Sequence, residues 1–436
     1  MKQITQLSDT LSGKVAIVRV DFNISLNTDN SIADYTRLFV VRDTIDYLLA
    51  RNIKIILITH YKDPGIEVLH TKNKNSHRYS INAILPQLTH FFATQCNINV
   101  IFSDNNINEN ESDIIDLANR LKNRDVLLLE NIRFYPEEKS NDATFAKKLA
   151  KLGHFYVNEA FSVSHREHAS IDQLPRFLPA YAGIRFTEEI SKLSTLSSLN
   201  QNGNTAIIGG KKVSDKFSLL HSLANKMDNI IVVGAMANSF LHAMGYAVSK
   251  SFYEDSIKEE ILHLISQSKE HRCNIVIPQD VVITCDMSNV HGCYDCSTIN
   301  NDIKEDYSIV DVGTKSLSQI SNIIQQSKNV VWNGPAGLYE NPKFITGTAQ
   351  IAKMMSDATK QGRINTIIGG GDTLSAISMI ERGLGMNLKA TEGERDCIAY
   401  KFHDFTHIST GGGAFLAYLE YGEQMPGVRA LYTNSS

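Results

Sequence analysis

"TIIGGGDTL", residues 366–374, runs an apolar stretch into three consecutive glycines and then an aspartate. Glycine loses more conformational freedom on folding than any other residue, so a cluster of it implies positive φ or a close backbone approach. Alone, the stretch reads as a tight strand-to-helix turn. Its meaning depends on repetition, and the device recurs. "IIGGKKVSDK" (207–216), "VVGAMANSF" (232–240) and "VVWNGPAGL" (330–338) each end an apolar run in glycine before a helical segment. "HISTGGGAFL" (407–416) adds a glycine-rich turn before a further helix. Four of the 26 glycines precede residue 200 and the remaining 22 follow it, so the two halves of the chain are built differently. Several strand–glycine–helix junctions in one sheet bring helix N-termini and bare N–H groups to one edge, which suits phosphate. Neither GxGxxG nor GxxxxGK[ST] occurs, which excludes the usual dinucleotide fingerprint and the P-loop.

Outward from that stretch, short β-branched runs alternate with longer amphipathic segments. "KVAIVRV" (14–20), "KIILITH" (54–60), "INVIFS" (98–103), "DVLLLEN" (125–131) and "HFYVNEA" (154–160) are separated by segments of helical period such as "YTRLFVVRDTIDYLLARN" (35–52). "TAIIGG", "NIIVVGA", "NIVIPQD", "NVVWNGP" and "NTIIGGG" repeat the scheme further on. Continuous apolar strands alternating with helices indicate βαβ units and parallel sheets covered on both faces. A chain of 436 residues exceeds one usual core, so two domains are expected. The joint is placed near "RFTEEISKLSTLSSLNQNGN" (185–204), where a polar helix gives way to a loop before a new strand.

With 42% hydrophobic and 21% charged residues the composition is that of an ordinary globular protein. A net charge of −4 argues against nucleic acid or an anionic membrane as a partner held by bulk electrostatics. The start lacks the apolar core and cleavage site of a signal peptide, and no apolar stretch approaches bilayer length, so a cytoplasmic location is expected. Six cysteines in a chain this long are not a disulfide framework. "CDMSNVHGCYDCS" contains Cys285, His291, Cys293 and Cys296 at spacings a zinc ion could use, but a single CxxC reads more readily as loop cysteines.

The first half ends its strands in side-chain chemistry rather than glycine. "VRVDFN" delivers Asp21 and Asn23, "LITH" delivers His60, and "LLLENIRF" delivers Asn131 and Arg133. "YVNEAFSVSHREH" supplies Asn158, His165, Arg166 and His168. Ligands of open α/β sheets lie at strand C-terminal ends, and Arg and His with Asp and Asn fit a small polyanion that also carries hydroxyls. Each residue alone has a plainer role, as a helix cap or a surface ion pair. Four strand ends of the same chemistry favour the functional reading.

At this point the residues resemble the phosphoglycerate kinase family over the whole chain. "RVDFNISL", "DYTRL", "LLLENIRFYPEE", "YVNEAFSVSHREHAS", "IIGGKKVSDK", "MANSFL", "VVWNGPAGLYE", "IIGGGDT", "STGGGA" and "MPGV" occur in the family's order. The resemblance implies an α/β fold of two Rossmann-like domains with parallel sheets joined by a hinge helix. Residues 1–188 would bind 3-phosphoglycerate, residues 189–410 would bind nucleotide, and segment 411–436 would return to the first domain. It implies phosphoryl transfer between ATP and 3-phosphoglycerate with Mg2+, by a cytoplasmic monomer with no nucleic-acid or membrane partner. Asp21, Phe22 and Asn23 match the positions at the hydroxyl and carboxyl end of the acid. Arg37, His60, Arg133 and Arg166 match the basic patch. Lys212 and Lys216 match lysines facing the nucleotide phosphates, and with Arg37 they form the expected catalytic set. Gly234, Ala235 and Met236 lie at the adenine slot, Glu340 at the ribose, Gly370, Gly371 and Thr373 at the phosphates, and Asp372 at the metal. Such transfer needs positioning and charge neutralisation, and its carboxylate acceptor is already ionised, so no general base is required. Substrates on separate domains would be joined by closure that excludes water.

Several positions depart from the family pattern. "THYKDPG" (59–65) stands for "SHLGRP", so Asp63 occupies the place of an arginine that lines the substrate site, with Lys62 beside it. "NEAF" carries Glu159 for an aspartate, "DVGT" carries Thr314 for a proline, Lys211 replaces an alanine, and the stretch 386–403 is longer than usual. No inferred catalytic cation is lost. Two alternatives follow: a kinase of this fold acting on another phosphorylated carboxylic acid, or a binding or moonlighting homologue of low activity.

Overall fold

Ten β-branched runs singled out above are strands. The computed structural model describes residues 1–65, 74–197, 203–286, 294–298, 306–381 and 404–433, which divide into two compact units. Unit 1 comprises Met1–Ser191 with Tyr421–Ser436, and unit 2 comprises Lys192–Glu420.

In unit 1 the strands are β1 (Val15–Arg19), β2 (Lys54–Ile58), β3 (Asn99–Ser103), β4 (Asp125–Leu129), β5 (Phe155–Asn158) and β6 (Ala180–Ala182). They form one all-parallel sheet in the order β3-β4-β2-β1-β5-β6. Every residue of β1 and β5 is buried, as strands covered by helices on both faces must be. The helix Thr36–Leu49 packs on this sheet through Leu38, Val41, Ile45 and Leu48. Helix Ile184–Ser197 begins in unit 1 and runs past its boundary at Ser191.

Unit 2 has β7 (Asn204–Ile208), β8 (Asn229–Val232), β9 (Asn274–Val276), β13 (Asn329–Asn333), β14 (Asn365–Gly369) and β15 (His407–Ser409). These strands are also parallel, in the order β15-β14-β13-β7-β8-β9. That is the Rossmann order, with the strand sequence reversing between β7 and β13. Unit 1 differs in the place of one strand, β4 lying between β2 and β3. A separate antiparallel sheet, β11-β10-β12, is made by β10 (Asp280–Thr284), β11 (Tyr294–Thr298) and β12 (Ser308–Val312). Trp332 is fully buried at the centre of the unit 2 core, and its indole N–H donates to Gly334 O at 2.7 Å.

Among the described residues no helix is long and apolar enough to cross a membrane. Cys285 is an exposed free thiol, and Cys296 lies in β11 opposite Val282. His291, Cys293 and the stretch 386–403 fall outside the described residues.

Candidate active site in two parts

The unit 1 part forms where β1, β2 and β5 end. Asp21, just past β1, is nearly buried and is bound from several sides. Arg37 Nη1, from the helix Thr36–Leu49, donates to Asp21 Oδ2 at 2.9 Å and to Asn23 O at 2.8 Å. Ser162 Oγ donates to the same carboxylate, and His60 Nδ1 stands 3.7 Å from Oδ1. Burial pushes the Asp21 carboxyl up, but His60, Arg37, Ser162 and the Asn23 N–H outweigh it and hold the group below the usual carboxylate range. Asn23 Oδ1 accepts from Lys62 N at 2.8 Å.

Around this carboxylate the charge is strongly positive. Burial lowers His60 well below the usual histidine value, and Arg19, Arg133 and Arg166 lower it further against the pull of Asp21. His168 falls to about 3, first from burial and then from Arg133, Arg19, Arg166 and Lys139. His165 is lowered by burial and Arg166. The imidazoles are therefore neutral, and His60 enters the expected basic patch as a hydrogen-bonding ring, not a cation. Arg37, Arg133 and Arg166 carry the charge, joined by Arg19. Phe22 is different: its ring is buried in the core, 5.7 Å from Phe92, and its N–H donates to Thr59 Oγ1. It fixes the turn between Asp21 and Asn23 and presents no side chain to a ligand.

Unit 2 collects its part at the C-terminal ends of β7, β8, β13 and β14, the reversal point of the sheet. The three glycines of the opening stretch have three separate reasons. Gly369 faces the Phe415 ring, where a Cβ would come within 2.9 Å. Gly370 has φ +100° and lies against the Asn333 amide, so both conformation and space demand glycine. Gly371 opens onto free space at the start of helix Gly371–Glu381. Thr373 Oγ1 accepts from Gly334 N at 2.7 Å, pinning this helix to the end of β13. Gly334, at φ +99°, touches the Gly209 backbone, so the two central strand ends meet main chain to main chain.

Lys216 Nζ donates to Asn333 Oδ1 at 2.7 Å and to Gly209 O at 2.5 Å across that junction. Burial lowers its pKa to about 8, with Asp372 and Asp215 opposing. A cleft of about 480 Å³ opens beside it, lined by Gly210, Lys211, Gly234, Ala235, Tyr339, Glu340 and Asp372 among others. That volume suits a nucleotide-sized ligand. Asp372 and Glu340 are exposed at the rim. Tyr339, between them, has its phenol pushed up by burial and by the charges of Asp372 and Glu340. Lys212 is exposed and near Glu254, outside the cleft lining, and Met236 is fully buried and also outside that lining.

The comparisons with known proteins agree on one family. The family described as phosphoglycerate kinase matches residues 4–422. The chain belongs to the phosphoglycerate kinase family. It is similar to the phosphoglycerate kinase of Wolbachia sp. subsp. Brugia malayi, 38% identical over 428 residues that span 97% of this chain and 96% of the relative. Among solved structures, phosphoglycerate kinase from Coxiella burnetii aligns with a TM-score of 0.81 at 25% identity, covering 100% of this chain and 99% of that one. Phosphoglycerate kinase from Pyrococcus horikoshii aligns with a TM-score of 0.76 at 23% identity over 100% and 99% of the two chains, a likeness of fold. Phosphoglycerate kinases are phosphotransferases whose acceptor is a carboxyl group.

Within this kinase fold, sequence reasoning passed over several residues that shape the site. Arg19 is 1% exposed, donates to Ser170 Oγ at 3.0 Å and to Val20 O, and stands 3.4 Å from His60 Nδ1. A charged residue inside the run "VAIVRV" was the available signal, since unpaired arginines are almost never fully buried. Its balancing acid, Glu138, is fully buried and accepts from Ser170 N and Oγ at 2.8 and 2.6 Å. In unit 2, Asp311 lines the cleft from within, pushed up to about 7 by burial and accepting the Gly347 and Val312 N–H groups. It opens the "DVGT" stretch (311–314), singled out above for Thr314 instead.

Proposed function

We propose that this chain carries out its family's reaction, reversible phosphoryl transfer between ATP and the carboxylate of 3-phosphoglycerate, with the acid held on unit 1 and the nucleotide on unit 2. The observation that carries the reading is the cluster of Arg19, Arg37, Arg133 and Arg166 around the neighbouring Asp21 and His60. A guanidinium array that adds to burial in disfavouring charged histidines suits a polyanion, and one ionised carboxylate within it can accept from a ligand hydroxyl. Asp21 and Asn23 take the hydroxyl end of the acid, with His60 as a neutral partner. Arg133 and Arg166 take its phosphate. Arg37 turns from Asp21 toward the phosphoryl group in flight, Lys216 neutralises it from the nucleotide side, and Lys212 joins by swinging in from its place near Glu254. The attacking carboxylate is already deprotonated, so the protein moves no proton.

Magnesium fits the nucleotide side. Mg2+ prefers hard oxygen ligands and is usually held by one or two carboxylates together with substrate phosphates. Asp372 offers such a carboxylate at the cleft rim, beside the glycine turn, with no thiolate or imidazole competing among the described residues of the cleft lining. Asp372 would hold the ion, whose charge would offset that of the phosphates when bound. Gly370, Gly371 and Thr373 keep the backbone of that turn close, Gly234 and Ala235 wall the base slot, and Glu340 faces the ribose. The same reading makes the chain a cytoplasmic monomer.

A coupled assay tests the reading: 3-phosphoglycerate with magnesium-ATP should turn over faster than neighbouring phosphorylated acids. Asp372→Ala should lower turnover by roughly 10³-fold or more while the chain stays folded. Turnover close to that of the unaltered protein in this variant would remove Asp372 from the metal site. Preference for another acid would instead point to Asp63, the charge reversal at the rim, as the residue that retargets the enzyme.

A further inference from the structure

Asp63 follows β2 in the position where the family resemblance expects an arginine. Its carboxylate does not hang free. Oδ2 stands 3.0 Å from Lys139 Nζ and 4.0 Å from Arg133 Nη1, so one acidic oxygen is shared by two cations from the segment after β4. Arg133 is 5% exposed, donates to Lys62 O at 3.0 Å, and has a buried Nε with no partner among the described residues. Lys62, at φ +54°, also donates its N–H to Asn23 Oδ1. Residues 61–63 therefore tie Asn23 to Arg133 and place Asp63 at the rim of the cationic cluster. Lys139 belongs to that cluster, since its charge is among those that depress His168.

We propose that Lys139 is a further substrate-site cation in this chain, with Asp63 as its built-in counter-ion, so that Lys139 cancels the charge Asp63 brings to the place of the family's arginine. The proposal rests on reading unit 1 as the 3-phosphoglycerate site. An isolated pair of half-exposed side chains, at 50% and 48%, would contribute little. Here the pair abuts an under-satisfied buried guanidinium, which makes it part of an anion site. In the unliganded protein Asp63 occupies the charge of Lys139 and part of that of Arg133. An incoming phosphate takes over Lys139, so affinity follows the net charge of the pair. Asp63 opposes anion binding, and Lys139 offsets Asp63.

Calorimetric titration of the full chain with 3-phosphoglycerate, and separately with inorganic phosphate, tests this. Removing one charge at a partly solvated site changes anion affinity by about five-fold. Asp63→Asn should bind both ligands about five-fold more tightly and Lys139→Met about five-fold more weakly. The double variant should return to within about two-fold of the unaltered protein. An Asp63→Asn protein that binds no tighter, a Lys139→Met protein that binds no weaker, or a double variant as weak as Lys139→Met alone would each overturn the proposal. Since both side chains are half-exposed, the thermal midpoint should stay put and separates lost charge from lost structure. The two ligands separate the two readings. If inorganic phosphate follows this order while 3-phosphoglycerate does not bind the unaltered protein, the charge pair stands and the substrate reading fails. If 3-phosphoglycerate binds and turns over without the order, only the charge pair fails.

Discussion

The two units carry their candidate sites at the strand C-terminal edge of similar sheets and make them from different material. In unit 1 the site is side-chain charge: four arginines, two buried acids and three neutral histidines held by burial and hydrogen bonds. In unit 2 it is main chain, with Gly209, Gly334, Gly234 and Gly370 so tightly apposed that a methyl group at any of them meets backbone or a buried amide. The difference predicts different modes of failure. A site made of charge breaks when a charge is removed, and the loss appears in activity. A site made of backbone breaks when an atom is added, and the loss appears in stability.

Arg37→Ala gives the largest expected effect. Turnover should drop by roughly 10³-fold or more, while the Michaelis constant for ATP moves far less, because the side chain belongs to unit 1. Steady-state kinetics in both substrates read this, and near-normal turnover would take Arg37 out of the catalytic set. Gly334→Ala makes the complementary break in unit 2. A Cβ there meets the Gly209 backbone from a left-handed conformation, at a cost of about 3 kcal/mol. Denaturant unfolding should show that loss, and an unchanged midpoint would mean that the strand ends separate freely.

Glu159 sharpens the comparison through pH. It is buried beneath the start of helix Ile184–Ser197, where it accepts from Arg185 N and Phe186 N, and Gly183 leaves room for nothing larger. Burial raises its carboxyl to about 7, with those donors opposing. A raised folded-state pKa contributes stability that is complete below the unfolded value of about 4.5 and lost as pH rises through 7. The thermal midpoint of Glu159→Gln should therefore fall less steeply between pH 5 and 7.5 than that of the unaltered protein, and parallel curves would show that Glu159 does not titrate there. The smallest effect concerns Lys216. With its pKa lowered to about 8, it loses charge above that value, so ATP affinity should weaken a few-fold between pH 7 and 9. Lys216→Arg should flatten that dependence, and an unchanged slope would assign it to another group.

Much of the fold was legible because buried parallel strands need continuous apolar runs, and "KVAIVRV" or "NIIVVGA" can be little else. The strands that escaped notice are those whose pattern is too short or whose partners are remote. Ala180–Ala182 is three residues long, and β10 to β12 pair antiparallel over a sheet set apart from the main one. On the site, the glycine pattern said that main chain comes close to something. Only the structure shows that Gly334 meets Gly209 before any ligand is considered. His60 was legible as a residue but not as a neutral one, because its state depends on burial and on Arg19, Arg133 and Arg166, brought to it from distant segments. Lys139 could not be singled out at all: its meaning comes from Asp63, 76 positions earlier in the chain.

Unit 1 is discontinuous, and that has a consequence for how the chain is made. Helix Pro426–Thr433 packs on the turn Ala169–Gln173: Gly427 N donates to Ser164 O at 2.8 Å, and Arg429 bridges Glu167 and Asp172 at 3.2 and 3.3 Å. During translation these residues emerge after all of unit 2. The surface they cover, on the unit begun first, stays bare while Lys192–Glu420 is synthesised, roughly 10 to 45 s at about 5–20 residues per second. The second unit to leave the ribosome is thus the first that can be finished, and the nascent first unit must remain soluble, with an apolar face uncovered, until its final helix arrives.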